Sequence, residues 1–469
     1  MAKTCLVCGE KAGSAEHIFP AALGGRRTNR GIYCTAHNNG YSPLAALLTE
    51  QLEYFNAALG VIHDRTRKVR PARMTELASG RTLKLADGDV SFDGPETIEP
   101  GEHALAFSSL ADAEAWAERQ RAKGMKVEFG KPSAPTAYFP GTSRVQIKLG
   151  GPESFRAIGY VGQTFLAHAF PDLARVEALK PFITSSYFGE SVLPVWWEFD
   201  APSYSQPSPF EFGHRIVVGV DADAKVVYGR ISLFSAFDYG MVFGPTDLVE
   251  STAKVFDIDP LATAAPVDLV ETVVVAPPPA PQLSTSPNDD LRRELIEGRA
   301  ANRVSTLLNK IEARERAQAV GRLFGRIQTF LNLPLSARSA AFTDLIEEER
   351  QRVFSLLQAS LREFESSDAG TKVKTLGLVP SELARSDSSS PDGLSDSARE
   401  TLDRACAAMA HRLHTEFEEG ALNEERVYTL IVEGEGRAVV LSAALAPFFP
   451  AGSLDAGCAA PGSTAQKGD

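Results

Sequence analysis

The chain has 469 residues and a formal net charge of −12, with 43% hydrophobic and 23% charged residues. This balance is typical of globular proteins, and it excludes a fibrous or wholly disordered chain. Its apolar stretches fall far short of the roughly 20 residues that a membrane helix needs. No apolar signal region follows Lys3. We therefore expect a cytoplasmic protein without a membrane partner.

Hydrophobic periodicity and composition predict an α+β protein of several domains. The expected segments, in chain order, are a basic head (residues 1–75), a mixed α/β domain of unassigned role (76–275), a Pro-rich linker (276–290), a helical region (291–365), a flexible Ser- and Asp-rich segment (366–396), a helix followed by a β-hairpin (397–450) and a disordered tail (451–469).

Several elements are predicted within these segments. In the head, leucines at helical spacing predict a helix from Ser42 to Leu59, with Ser42 as its N-cap and Gly60 after its end. The helices of residues 291–365 pack either within the chain or against a second copy or a regulatory partner, and their interrupted heptads favour packing within the chain. Strands or hairpins are expected at 123–129, 144–149, 214–220 with 225–234, and 426–442.

Charge is distributed unevenly along the chain. The first 75 residues contain ten Lys or Arg and five Asp or Glu, a net charge of +5, which leaves −17 for the rest because the whole chain is −12. A basic segment attached to an acidic body directs one part of a protein towards phosphate. The basic stretch from Arg65 to Arg73 either extends such a surface or is a charged linker.

Two short Cys/His pairs lie in this basic head. Cys5-x2-Cys8 and Cys34-x2-His37 have the spacing of zinc knuckles, in which a tight turn directs both ligands at one point. Three thiolates and one imidazole complete a tetrahedral shell, so we predict a structural Zn²⁺. Two alternatives are that the cysteines are free and buried, and that His37 is an active-site residue.

A second motif lies between the knuckles. It reads Glu16-His17-Ile18-Phe19-Pro20, then Gly24-Gly25 and Asn29, with Asn38 directly after the second knuckle. In this order and spacing, residues 3–60 resemble the HNH endonuclease superfamily, and most closely its subgroup with paired zinc knuckles. The resemblance implies a zinc-stapled ββα-metal domain at the N-terminus. It departs from the usual family pattern at His37, which replaces a Cys, at Glu16, where many members have Asp or His, and at Asn38, a common variant of the last motif residue.

The resemblance also implies a role for each motif residue. His17 would be the general base, and Glu16 with Asn38 would hold one catalytic Mg²⁺ or Mn²⁺ through oxygen, with Asn39 as the ligand if the loop is shifted by one residue. Asn29 would orient the His17 loop through a backbone hydrogen bond. Cleavage would leave a 5′-phosphate and a 3′-hydroxyl.

Three arginines, Arg26, Arg27 and Arg30, lie in the loop between His17 and Asn38. Arginines at this position are suited to contact phosphate, although a solvated basic loop has the same composition. The sequence therefore predicts a metal-dependent DNA endonuclease, with RNA as a weaker substrate expectation. By analogy alone, such a nuclease with large unassigned domains would be expected to be a regulated bacterial defence effector. The alternative is a zinc-stabilised nucleic-acid-binding or scaffold protein without activity.

Overall fold

The fold is taken from a computed structural model. The residues that it describes are 3–77, 80–93, 96–97, 105–107, 110–128, 143–147, 149–189, 193–198, 208–262, 269–274, 279–281, 287–375, 382–383 and 394–448. Among these residues, no helix combines the length and the apolar character needed to cross a membrane. The predicted tail, 451–469, and most of the predicted linker lie outside the described residues.

The strands of the described residues are short in the head and longer in the middle of the chain. In chain order they are β1 (Glu16–His17), β2 (Thr28–Asn29), β3 (Ala72–Glu76), β4 (Thr82–Ala86), β5 (Asp89–Phe92), β6 (Glu96–Thr97), β7 (Leu105–Ala106), β8 (Ser143–Arg144), β9 (Val195–Trp197), β10 (His214–Asp221), β11 (Val226–Leu233), β12 (Phe237–Pro245), β13 (Thr252–Ile258) and β14 (Leu269–Val274).

The α-helices dominate the second half of the chain. In chain order they are α1 (Thr35–Gln51), α2 (Glu53–Leu59), α3 (Leu110–Ala122), α4 (Pro152–Ala169), α5 (Lys180–Phe188), α6 (Pro287–Ile296), α7 (Arg299–Thr329), α8 (Leu335–Glu348), α9 (Arg350–Ser366), α10 (Asp368–Thr375), α11 (Asp396–Glu418), α12 (Glu424–Ile431) and α13 (Gly434–Leu445). The chain is thus an α+β protein, as the sequence predicts.

Two compact units divide the chain. The first contains residues 1–75, 80–93 and 143–312, and the second contains 76–79, 94–142 and 313–469. The first 75 residues therefore share a compact unit with a large part of the middle of the chain. The domain boundaries derived from the sequence stay predictions.

The first unit is built around a six-stranded sheet in the order β14-β13-β10-β11-β12-β9. Its neighbouring strands are antiparallel, and β10 pairs with β11 from Arg215–Ser232 to Asp221–Val226. This is the predicted hairpin, and its turn is closed by Asp221 Oδ1, which accepts a hydrogen bond of 2.9 Å from the Ala224 amide. A second sheet has the order β5-β4-β3-β8, and β1 pairs with β2 alone.

Helix α4 contacts both the six-stranded sheet and α1, and it therefore sits at the centre of the first unit. Thirteen of its residues are buried, and they include small residues such as Gly159 and Gly162. A Cβ at Gly162 would lie 2.2 Å from the sulfur of Met241 on β12, so the helix approaches the sheet closely because this position lacks a side chain. Polar residues of α4 face the head, as described below.

The second unit has a helical core. Its buried apolar side chains come from the end of α7 and from α8, α9 and α11–α13, with Phe342, Phe354, Leu402 and Met409 fully buried. Their helical spacing is the pattern from which the sequence predicts the helical region at 291–365 and the helix that begins near residue 397. The packing shows an intrachain core for part of the predicted 291–365 region, and an additional partner stays a prediction.

Several predicted elements are corrected by the structure. The helix predicted from Ser42 begins at Thr35, with Cys34 at its N-cap position and Pro43 in its interior. The strand predicted at 123–129 is absent from its described part, 123–128, because α3 ends there and Gly124 adopts a left-handed turn with φ +84°. Of the strand predicted at 144–149, Arg144 alone lies in a strand among the residues described there, as the last residue of β8.

The hairpin predicted at 426–442 is also wrong, since these residues form α12 and α13. Asn423 caps α12 by accepting a hydrogen bond from the Arg426 amide. Within the predicted flexible segment, residues 368–375 form α10. Most of the remaining residues of that segment lie outside those described.

Candidate functional site

The two predicted knuckles come together in the first unit. The ligand atoms of Cys5, Cys8, Cys34 and His37 all lie within 4.8 Å of one another. The sulfurs of Cys8 and Cys34 are 4.0 Å apart, and His37 Nδ1 lies 3.1 Å from Cys34 Sγ and 3.7 Å from Cys5 Sγ. Tetrahedral Zn²⁺ with ordinary bond lengths separates such ligands by about 3.5–3.8 Å, so this group could bind a structural zinc.

The first knuckle is shaped by its backbone. The Gly9 amide donates a hydrogen bond of 2.9 Å to the Cys5 carbonyl, and Gly9 has φ +74°, a left-handed conformation that favours glycine. Cys5 is buried, which opposes ionisation of its thiol. Hydrogen bonds from the backbone of Cys8, Cys34 and Val7 outweigh that penalty and lower the pKa of Cys5. The turn thus favours the thiolate of Cys5, the form that binds metal. For Cys8 the direction is opposite, because desolvation and the neighbouring Cys5 raise its pKa to about 11.

The second knuckle is the start of α1. Cys34 occupies the N-cap position and His37 lies in the first turn, so the two side chains project from adjacent points of one helix end. The ring of His37 packs edge-on against the ring of Tyr187, with their centroids 4.7 Å apart. This packing restrains the imidazole with Nδ1 towards the cysteines. All three cysteines are free of disulfides.

The motif residues lie on the two strands and the helix between and after the knuckles. Glu16 and His17 form β1, and Glu16 pairs across the ribbon with Asn29 of β2. The loop joining the strands is closed by hydrogen bonds from the Ile18 amide to the Arg27 carbonyl, 3.0 Å, and from the Gly25 amide to the Pro20 carbonyl, 3.2 Å. A Cβ at Gly25 would lie 2.2 Å from the Phe19 carbonyl oxygen, which explains the glycine in this turn.

Glu16 is buried against α4. The Tyr160 hydroxyl donates a hydrogen bond to its Oε1, and 6% of the residue is exposed. Burial raises the pKa of Glu16 to about 8, although the positive charge of Arg65 acts in the opposite direction. A carboxylate in this place needs a compensating positive charge to stay ionised near neutral pH. The sequence motif points to Glu16 but does not point to Tyr160 or Arg65.

His17 has a different environment. Its Nε2 lies 3.2 Å from Oδ2 of Asp64, a residue of the turn that follows α2. The side chains of His17 and Asp64 are 13% and 29% exposed. The sequence motif ends near Asn38 and gives no signal for this carboxylate, because the contact spans 47 positions of the chain.

The two predicted asparagines are both ordered by side-chain hydrogen bonds. Asn38, in the first turn of α1, donates from Nδ2 to Ser14 Oγ at 2.6 Å, so its amide oxygen is directed elsewhere. Asn29 accepts from the Gly31 amide at 2.8 Å, and its Nδ2 lies 2.9 Å from His168 Nδ1 on α4. Asn29 thus bonds the backbone at Gly31, two residues further on, and its expected role in orienting the His17 loop stays a prediction. Asn39 is exposed.

The three loop arginines differ from one another. Arg26 is buried and donates from Nη2 to the Ala262 carbonyl, while its Nε and Nη1 have no hydrogen-bond partner among the described residues. Arg27 lies 4.0 Å from Glu271. Arg30 is exposed. The burial of Arg26 does not fit the solvated basic loop that the sequence also allowed.

Three comparisons with known proteins gave no match. No family model matches the chain, and neither the curated proteins nor the solved structures include a match to it.

Proposed function

We propose that the protein is a metal-dependent endonuclease that hydrolyses phosphodiester bonds of DNA. The observation that carries the proposal is the arrangement of the head: a two-stranded ribbon with Glu16 and His17, followed directly by a helix whose first turn holds Asn38, with a Cys3His group at the same helix end. This order of two strands and a helix is the one that the resemblance to zinc-knuckle HNH nucleases implies. That the head forms a ββα-metal domain is therefore part of this proposal.

The donor chemistry of the site suits a hard divalent cation. Glu16 supplies a carboxylate, and the amide oxygen of Asn38 is left as a donor because its Nδ2 is committed to Ser14. Mg²⁺ or Mn²⁺ held there would neutralise charge that develops on the phosphate and the departing 3′ oxygen. Burial raises the pKa of Glu16 to about 8, so a bound cation would have to displace the proton of this carboxyl.

The other residues of the head would act on water and on the DNA backbone. His17 takes a proton from the attacking water, a role that an imidazole fills near neutral pH. Arg30 and Arg65 are exposed, and they are the arginines near the motif that we assign to phosphate contact. Arg26 is assigned instead to holding the β1–β2 loop through the Ala262 carbonyl. A structural zinc held by Cys5, Cys8, Cys34 and His37 would join the N-terminal turn to the start of α1.

A plasmid-nicking assay with the purified full-length protein tests the proposal. Supercoiled DNA is incubated with Mg²⁺, with Mn²⁺ or with EDTA, and a matched RNA substrate is run in parallel. His17→Ala and Glu16→Gln should abolish cutting, whereas His411→Ala, a change at an exposed histidine of α11, should leave it unchanged. Zinc content is measured for each variant, so that loss of the fold is separated from loss of the base.

The alternative is a zinc-stabilised protein that binds nucleic acid without cutting it. That function predicts DNA retention in a gel-shift assay with no nicked product under any cation, at a full zinc content. It also predicts that His17→Ala binds DNA as the wild type does. Cation-dependent nicking that His17→Ala abolishes rejects this alternative.

A further inference from the structure

The carboxylate of Asp64 is the hydrogen-bond partner that the fold brings to His17. We propose that Asp64 is a positioning residue for His17: it accepts the hydrogen on Nε2 and so leaves Nδ1 as the nitrogen that takes the proton from water. This inference rests on the proposed function of the site. It adds a residue outside the motif, 47 positions away from the histidine.

The geometry of the pair is that of an orienting carboxylate. His17 Nε2 and Asp64 Oδ2 are 3.2 Å apart, and both side chains are largely shielded from solvent. Neutral imidazole carries one hydrogen, so a carboxylate at Nε2 selects the tautomer that has this hydrogen on Nε2. The lone pair then resides on Nδ1. A hydrogen-bonded carboxylate also restricts rotation of the ring about its last torsion.

Asp64 is itself held in place by its turn. The His63 amide donates to the Lys68 carbonyl at 3.1 Å, and His63 Nδ1 accepts from the amides of Arg65 and Thr66 at 3.1 and 3.4 Å. The Asp64 amide donates to the Ala21 carbonyl at 3.3 Å, which ties the turn to the loop after β1. These hydrogen bonds hold the backbone of Asp64 in place beside His17.

The carboxylate of Asp64 lies against the ring of His17, with its Oδ2 3.2 Å from Nε2. The charged or titratable neighbours of the pair are Glu16, His63 and Arg65. Asp64 supplies the negative charge that faces the ring of His17.

The first arm of the test reads the tautomer directly and needs no cleavage. Full-length protein labelled with ¹⁵N-histidine is compared with Asp64→Ala by two-dimensional NMR, and His17→Ala assigns the signal among the eight histidines. The wild type should show hydrogen on Nε2 of His17, and Asp64→Ala should shift the ring towards a mixture of tautomers. An unchanged tautomer in Asp64→Ala overturns the proposal.

The second arm measures cleavage. Asp64→Ala and Asp64→Asn should reduce kcat by about 10–100-fold with little change in KM, because an outer carboxylate acts through the histidine. Asp64→Glu should restore part of the rate, and Asp223→Asn, at an exposed turn, should not change it. Equal rates for Asp64→Ala and wild type overturn the proposal. A wild type that cuts nothing while Asp64→Ala alters the tautomer rejects the nuclease and keeps the pairing.

Discussion

At the scale of single residues, the Cys3His group is the part of the site that local sequence specifies most completely. Cys5 and Cys8 are three positions apart on one turn, and Cys34 and His37 are three positions apart at one helix end. Spacing of this kind dictates which side chains point together without reference to the rest of the fold. Because the spacing within each pair is local, the sequence predicts all four members of the Cys3His group by residue number.

The Cys3His group leads to a prediction about metal content. Cys34→Ser should lower bound zinc from about one ion per chain to nearly none and should make the first unit unfold at lower urea concentration, since metal binding and folding are coupled at structural zinc sites. Elemental analysis and urea titration measure the two effects. The matched control is Cys406→Ala, a buried cysteine of α11 in the second unit. A full zinc content in Cys34→Ser contradicts the assignment.

Other residues of the site are not predictable in this way. Asp64 meets His17, and Tyr160 donates to Glu16 across 144 positions of the chain. Neither contact has a local pattern, because both depend on how α4 and the turn after α2 pack against the ribbon. The sequence predicts the motif residues to which the proposed chemistry is assigned, and the fold is needed to find the residues that contact them.

A buried histidine gives a prediction about pH. His214 of β10 is fully buried, contacts the ring of Phe19 at 4.8 Å between centroids, and accepts a hydrogen bond from the Phe234 amide. Burial lowers the pKa of His214 to about 3. The unfolded chain therefore binds the extra proton first as pH falls, so the native state loses stability below about pH 6.5, by roughly 2 kcal/mol at pH 5.

Urea unfolding at pH 7 and pH 5, followed by tryptophan fluorescence, measures this loss in wild type and in His214→Asn. Asparagine keeps an acceptor for the Phe234 amide and does not titrate in this range. The variant should be less stable overall but should show a smaller difference between the two pH values. A difference as large as that of the wild type would mean that His214 is not the group responsible.

At the scale of elements, α4 acts as the support of the head. Gln163 donates to the hydroxyls of Tyr41 and Tyr33 at 2.6 and 3.2 Å. The Tyr33 hydroxyl also lies 2.9 Å from Thr164 Oγ1. These buried polar contacts join α4 to α1 and to the segment before the second knuckle. A network of this kind specifies one arrangement of the elements, because a misplaced partner leaves a buried hydroxyl unpaired.

The network gives a prediction about stability. Gln163→Met keeps an unbranched side chain but removes the donor to both tyrosines, and it should cost about 1–3 kcal/mol. Release of zinc to a chromophoric chelator during urea titration reports on the first unit specifically. Gln318→Met, at an exposed position of α7, is the control and should change little. An equal midpoint for both variants would show that α4 does not support the head.

The elements also show where sequence patterns mislead. The hairpin at 214–234 is predicted correctly because alternating apolar residues flank a turn that Asp221 closes. The hairpin predicted at 426–442 is centred on Glu433-Gly434-Glu435-Gly436. Its apolar residues Val427, Leu430 and Ile431, however, have helical spacing and are buried on α12. Short apolar runs around glycine are ambiguous until the partner surface, here α11 and α9, is known.

At the scale of the whole molecule, the head belongs to a compact unit that extends to residue 312. Its ribbon and first helix share hydrogen bonds with α4, and its loop reaches the Ala262 carbonyl through Arg26. Function is therefore best tested on the full chain and not on residues 1–75 alone. Regulation of a defence effector stays a hypothesis, which the uneven charge of the sequence motivates.

The central claim is that His17 serves as the general base of a metal-dependent DNA hydrolase. The most direct test is the initial rate of plasmid nicking by full-length wild type and by His17→Ala, in Mn²⁺ and at equal zinc content. Loss of a general base predicts a rate at least about 100-fold lower in the variant, with no product for either protein in EDTA. Equal rates for the two proteins, or cutting that persists in EDTA, would contradict the account.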